Sequence, residues 1–214
     1  MEQDIQIAVG GRAPYQLIYR IITAEGQEKW MWEQGRAEFD ADGKVATLEG
    51  YITDIRGQKR AEHALQLILD STASVVGEEF FRNLVKQLAK VLGVRYACVT
   101  EALSGDQLRT KAFWAEGDFA DNYVYSTRGA PCEHVIAKGV AHYPSGVRYL
   151  FPEDAFLENK KIESYFAVAL SDKDGRSLGH LGVMDVEPLV DVSLAEPLLR
   201  IFAARAGAEL ARER

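Results

Sequence analysis

The stretch that decides the fold is Tyr165–Val186, YFAVALSDKDGRSLGHLGVMDV. Two apolar runs, Tyr165–Leu170 and Ser177–Val186, flank the turn sequence Lys173-Asp174-Gly175. Apolar runs of strand length on either side of a glycine-containing turn predict a β-hairpin. The hairpin is expected to belong to a larger antiparallel sheet.

The residues before the hairpin supply more of that sheet. The runs Val94–Glu101 and Leu108–Ala115 have strand character and are joined by the turn sequence Ser104-Gly105-Asp106. A helix is predicted over Glu78–Leu92, because its apolar residues recur on one face and Gly93 is a suitable C-terminal stop. These strands are consecutive and are therefore expected to pair antiparallel.

The remaining parts of this region are an irregular middle and a closing helix. The segment 116–163 has many aromatic residues, three prolines and no clean period, which predicts a cover of loops and short helices. In the closing helix, Ser193 and Glu196 form a capping box, and Pro197 is expected in the first turn. The segment order predicts an α+β fold in which helices flank an antiparallel sheet.

The N-terminal part has a different organisation. Three runs rich in aromatic and β-branched residues, Tyr15–Ala24, Lys29–Phe39 and Val45–Asp54, are separated by glycine-containing turns and predict a three-stranded antiparallel meander. Because Val45–Asp54 would leave one sheet edge without a partner, we expect that edge to pair with another chain or to be covered by Met1–Pro14.

A linker helix is predicted between the two parts. Its apolar positions are spaced four, three, four and three residues apart, which is typical of a heptad seam; they are Ala61, Leu65, Ile68, Thr72 and Val75. The same spacing also fits an amphipathic helix packed on its own domain. The sequence leaves these two interpretations open.

Composition excludes several classes of protein. The 214 residues are 47% hydrophobic and 27% charged, which is typical of a folded, water-soluble chain. The net charge of −7 disfavours nucleic-acid binding, and no apolar run approaches the length of a membrane span. Two cysteines are too few for a disulfide framework, so we expect a cytoplasmic location.

The N-terminal part resembles the C-terminal half of a PAS domain with its PAC motif. The residues that carry this resemblance are Tyr19-Arg20-Ile21, Gly26, Trp30, Asp42-Gly43-Lys44, Gly50, Thr53-Asp54-Ile55 and Lys59-Arg60-Ala61-Glu62. The chain departs from the family where Arg56-Gly57 follows the Asp-Ile pair. The resemblance begins near Tyr15, which implies that the first strands and pocket helices of a PAS domain are absent.

The C-terminal part resembles a complete GAF domain. This resemblance rests on Phe81–Val99, Ala112-Phe113-Trp114, Pro131-Cys132-Glu133, Phe151-Pro152-Glu153-Asp154, Glu163-Ser164-Tyr165, Gly179-His180-Leu181-Gly182-Val183 and Phe202–Glu209. Together the two resemblances imply three parts: a PAS remnant at 1–55, a linker helix at 56–76 and a GAF domain at 77–214. They also imply a bacterial sensory input module whose output domain lies outside this segment.

GAF domains bind small molecules between the sheet and its cover, and the resemblance implies such a pocket here. The candidate lining residues are aromatic side chains with a few polar ones, a mixture typical of ligand pockets: Trp114, Phe119, Tyr125, Cys132, His134, Tyr143, Phe151, Asp154, Tyr165 and His180. Any single aromatic residue among them is more often a core residue than a ligand contact.

Other site chemistries have weaker support in the sequence. Cys132 and His134 form a Cys-x-His pair near His142, but no further cluster completes a metal or haem site, so no cofactor is predicted. The patterns of bilin-binding and cyclic-nucleotide-binding GAF domains are incomplete. Cys98 lies in a predicted buried strand and is poorly placed to pair with Cys132 in a thiol-based sulfoxide reductase. We therefore expect no enzymatic activity.

The sequence thus predicts a ligand-gated sensory module that relays its signal through flanking helices. The expected homodimer interface combines the helices at 58–75 and 194–212, since the latter has a face of small residues, Ala203, Ala206 and Gly207. The alternative is a GAF domain that dimerises and relays a signal without any ligand. No nucleic-acid or membrane partner is expected.

Overall fold

The computed structural model describes residues 2–189 and 191–214. The chain divides into two compact units, residues 1–63 and 64–214. The boundary falls inside α2 (Arg56–Thr72), which occupies most of the predicted linker helix. Among the described helices, none is both long enough and apolar enough to cross a membrane.

The first unit is a helix followed by an antiparallel meander, α1 (Glu2–Gly10), β1 (Tyr15–Ile22), β2 (Glu28–Phe39) and β3 (Val45–Asp54). The three predicted strands are confirmed. Gly26 and Gly43 lie in the tight turns between them and adopt the positive φ angles that these turns require. Helix α1 contacts β1 and β2. Strands β1 and β3 are the two edges of this sheet, and every residue along β3 is exposed.

The second unit is a seven-stranded antiparallel sheet with helices on one face and an irregular cover on the other. Five strands follow the order β6-β5-β4-β10-β9, β8 extends the far edge, and β7 pairs with β5. The elements are α3 (Gly77–Leu92), β4 (Tyr96–Ala102), β5 (Gln107–Ala115), β6 (Asp118–Ala120), β7 (Val124–Ser126), α4 (Pro131–Lys138), β8 (Val140–Tyr143), α5 (Val147–Leu150), α6 (Ala155–Asn159), β9 (Ser164–Ser171), β10 (Ser177–Asp185) and α7 (Val192–Glu213). The predicted α+β class, an antiparallel sheet with flanking helices, is confirmed.

Strand alternation divides the interior into two layers. Along β4, Ala97 and Val99 pack against the helices, whereas Tyr96 and Cys98 face the cover. Helices α3 and α7 complete the first layer, which is the larger core. Because successive side chains of a strand point to opposite faces, the register of each strand decides which residues can reach the cover.

The beginning of α7 differs from the prediction. The helix starts at Val192, and Asp191 is its N-cap, with Oδ1 accepting a hydrogen bond from the Leu194 backbone N–H at 3.1 Å. The predicted capping box is wrong, since the Ser193 hydroxyl instead donates to Asp191. Pro197 therefore lies two residues deeper in the helix than expected, where it has no N–H to donate to the carbonyl of Ser193 four residues earlier.

The small-residue face of α7 is used inside its own unit. Ala203 and Ala206 are buried, and a Cβ atom at Gly207 would come within 2.8 Å of the Ser171 carbonyl oxygen. On α2, Ile68 and Thr72 are likewise fully buried. Packing within the second unit therefore covers these small and apolar residues, and homodimerisation through the two helices stays a prediction.

Candidate functional site

A cavity of about 330 Å³ lies between the sheet and its cover. Its floor comes from the faces of β4, β5, β9 and β10 that are turned away from the long helices. Its walls come from β7 and from the beginnings of α4 and α6. The residues that line it are Cys98, Thr110, Phe113, Tyr123, Tyr125, Ser126, Arg128, Ala130, Pro131, Cys132, Glu153, Asp154, Ala155, Phe156, Leu157, Tyr165, His180 and Met184.

Two short helices hold the cover in place. Pro131 occupies the first turn of α4, where its missing N–H leaves no bond unmade. Asp154 caps α6, and its Oδ1 accepts hydrogen bonds from the backbone N–H groups of Phe156 at 3.0 Å and Leu157 at 3.3 Å. These starts bring Cys132 and Phe156 to the cavity wall.

Two glycines on β10 shape the floor around His180. At Gly179 the pairing with β9 shifts register, and a Cβ atom there would lie 1.9 Å from the Thr100 carbonyl oxygen. The backbone N–H of His180 then donates to Thr100 Oγ1 at 3.0 Å. At Gly182 a Cβ atom would lie 3.3 Å from the His180 Nδ1 atom. Gly179 thus allows the backbone of His180 to approach β4, and Gly182, which has no side chain, leaves room for the imidazole at the cavity.

The polar atoms of the cavity are only partly satisfied. The Tyr125 hydroxyl lies 3.2 Å from His180 Nε2. The Tyr165 hydroxyl and His180 Nδ1 are buried and have no hydrogen-bond partner in residues 2–189 and 191–214. An unsatisfied buried polar group is costly, so both atoms would gain from a further hydrogen-bond partner.

Burial keeps several side chains that line the cavity uncharged near neutral pH. It raises the pKa of Cys98 and of Cys132 to about 12 and lowers the pKa of His180 to about 4. It also raises the pKa of Tyr125 and of Tyr165 well above the usual value. Because a thiol reacts as its thiolate, these two cysteines are poor nucleophiles.

Five of the ten predicted site residues line the cavity: Tyr125, Cys132, Asp154, Tyr165 and His180. Three of the others, His134, Tyr143 and Phe151, form an aromatic cluster beside it, in which His134 Nδ1 meets the Tyr143 hydroxyl. Cys132 faces the cavity while His134 turns to this cluster. Within the described ranges, no three His, Cys, Asp or Glu side chains are grouped as metal ligands.

The placement of the other two, Trp114 and Phe119, corrects the prediction. Trp114 belongs to the core on the helix side of the sheet and stacks edge-on against Phe119, with ring centroids 5.0 Å apart. The Arg82 guanidinium lies over the Phe119 ring at 3.8 Å. An aromatic residue of β5 was correctly predicted to line the cavity, but it is Phe113 and not Trp114.

Sequence reasoning also missed several lining residues, above all Cys98, Phe113, Tyr123, Phe156 and Met184. Cys98 was expected to lie away from Cys132, yet both line the same cavity, which corrects that expectation. Side chains alternate between the two faces of a strand, so a known register would have assigned Cys98 and Phe113 to the cavity face. Phe156 gave no such signal, because it lies in the irregular cover.

Both units are similar to known protein domains. Residues 1–52 match the sequence profile of the PAS fold. The GAF domain of the A. aeolicus nlh2 protein, solved in an inactive state, superposes with a TM-score of 0.58 and 15% identity, covering 74% of this chain and 100% of that domain. Residues 64–214 have the GAF fold. The sheet order, helix layer and cover described above are those of this GAF unit.

Two further solved structures share the fold. The GAF domain of a phosphoenolpyruvate-protein phosphotransferase from Acinetobacter has a TM-score of 0.56 and 14% identity, with 71% of this chain and 93% of that domain covered. The chromophore-binding domain of Stigmatella aurantiaca bacteriophytochrome has a TM-score of 0.60 and 12% identity, with 98% and 78% covered. No curated protein sequence matches the chain significantly.

Proposed function

We propose that the chain is a sensory input module of a bacterial signalling protein, in which the GAF cavity binds a small molecule. The observation that carries this proposal is the cavity itself. It is aromatic, it holds a few placed polar groups, and the buried Tyr165 hydroxyl beside it has no partner in residues 2–189 and 191–214. Ligand pockets have this combination of apolar walls and few polar atoms.

The proposed route of the signal leads through the end of α2. Arg205 on α7 donates to Thr72 Oγ1 at 3.0 Å and to the Thr72 carbonyl, and its guanidinium lies 4.8 Å from the Phe80 ring centroid. Glu209 accepts a hydrogen bond from the Gly77 backbone N–H. A ligand that favours one packing of these helices over another would bias α2, as any switch requires.

Release of a bound molecule tests the sensing function. The unaltered protein, purified without denaturation and then denatured, is expected to release one small molecule reproducibly in mass spectrometry. Cys98→Phe fills part of the cavity and should abolish the release, whereas Cys98→Ala keeps the cavity open and should preserve it. Circular dichroism confirms that both variants are folded. Equal release from the two variants, or none from the unaltered protein, contradicts ligand sensing and favours the ligand-free relay.

Homodimerisation through α2 and α7 remains a proposal, now assigned to the exposed sides of these helices. Leu67 and Ile201 are each 45% exposed and are the large apolar residues that those sides offer. Leu67→Glu combined with Ile201→Glu should split the dimer and leave the GAF core folded, because neither side chain belongs to that core. Light scattering measures the oligomeric state of both proteins, and circular dichroism checks that the variant is folded. A monomeric unaltered protein at tens of micromolar would contradict the proposal.

A further inference from the structure

The aromatic walls set the size and shape of what the cavity can hold. Phe113 meets Phe156 with ring centroids 5.8 Å apart and Tyr123 at 6.0 Å, both edge-to-face. Aromatic rings prefer such contacts, so a flat ring can join the cluster. An apolar cavity of about 150 Å³ holds a benzene-sized molecule. The observed volume of about 330 Å³ therefore fits one fused ring pair, or a single ring with a short substituent.

Four buried side chains that line the cavity carry no charge that could balance a charge on a ligand. Cys98, Cys132, Tyr165 and His180 are all buried, and burial favours the neutral form of each. An ion that entered this region would lose its hydration without gaining an opposite charge, which is strongly unfavourable. A charged group on a ligand would therefore have to remain near the opening.

The charged lining residues disfavour an anion there as well. They are Arg128, Glu153 and Asp154. Arg128 is largely exposed, and its Nε already pairs with Asp106 Oδ2 at 2.6 Å. Glu153 is exposed, and Asp154 is held by the first turn of α6. Two carboxyl groups thus face one cation that has a partner of its own, and a carboxylate or phosphate group would meet net repulsion.

One polar contact remains to be made inside. The Tyr165 ring lines the cavity, while its hydroxyl is buried and unpaired among the described residues. A ligand atom that accepts or donates one hydrogen bond would satisfy this hydroxyl and remove the cost of leaving it unpaired.

From these observations we propose that the cavity selects an uncharged molecule with one or two flat rings and a hydrogen-bonding atom that meets the Tyr165 hydroxyl. This inference rests on the proposed sensing function and narrows its ligand class. Indole and benzamide belong to the class, whereas indole-3-carboxylate and benzoate have nearly the same ring systems but carry a negative charge.

The four compounds serve as matched probes. In ligand-observed NMR titrations of the full chain at neutral pH, each neutral compound is expected to bind at least about tenfold more tightly than its anion, since tenfold corresponds to only about 1.4 kcal/mol. An anion that binds as tightly as its neutral partner overturns the inference while still supporting a ligand-binding GAF unit. No binding by any probe overturns the inference, and the release experiment then decides the sensing function separately.

The hydroxyl contact is tested with two tyrosine variants. Tyr165→Phe keeps the ring and removes the unpaired hydroxyl, so benzamide should bind about fivefold to tenfold more weakly. Tyr96→Phe is the control, because Tyr96 faces the same layer but donates its hydroxyl to Glu116 and does not line the cavity. Its affinity for benzamide should not change. Unchanged affinity in Tyr165→Phe, or an equal loss in both variants, overturns the assigned contact.

Discussion

Replacing Gly179 with alanine is expected to lower the free energy of unfolding of the GAF unit by more than about 3 kcal/mol, because it combines a severe backbone clash with strain. The φ angle of Gly179 is +153°, a region that side-chain-bearing residues rarely enter. The new Cβ atom would lie 1.9 Å from the Thr100 carbonyl oxygen. Since that oxygen belongs to the backbone of the adjacent strand, neither strand can yield without losing the pairing beside His180.

Gly175→Ala is the matched control for this prediction. Gly175 also has a positive φ, +79°, but an added Cβ atom would meet nothing within 4 Å. We expect a loss of only about 1 to 2 kcal/mol, from backbone strain alone. Urea-induced unfolding followed by circular dichroism measures both variants. Similar losses at the two glycines would show that the close approach of β10 to β4 does not limit stability.

Replacing Trp114 with alanine is expected to destabilise the GAF unit by about 3 to 5 kcal/mol without altering ligand binding. The ring is only 9% exposed and packs against Phe119 and the helix-side core. Its loss leaves a void in that core and does not enlarge the cavity, because the sheet lies between them.

Phe113, which precedes Trp114 in β5, is expected to affect both stability and ligand binding. Phe113 is 4% exposed and lines the cavity, so Phe113→Ala should destabilise by a similar amount and also change ligand affinity. Thermal unfolding and titration with indole compare the two variants. An altered affinity in Trp114→Ala together with a normal affinity in Phe113→Ala would reverse the assignment of the two sheet faces.

The sequence by itself determined the kinds and order of the main strands and of the long helices α2, α3 and α7, because these depend on local periodicity. The apolar runs around Lys173-Asp174-Gly175 required a hairpin, and the 3.6-residue stripe ending at Gly93 required a helix. In the first unit, glycines at the two turns required a meander. The resemblance to PAS and GAF domains rested on the same local features, and the folds confirm it.

Only the tertiary structure decided which side chains meet. The register of β5 against β4 placed Phe113 in the cavity and Trp114 in the helix-side core, and a shift by one residue would have exchanged them. Packing also turned the small residues of α7 toward their own sheet, where Gly207 lies against Ser171. The physical reason is that strand register and helix orientation are fixed by contacts between residues far apart in the chain, which no local period records.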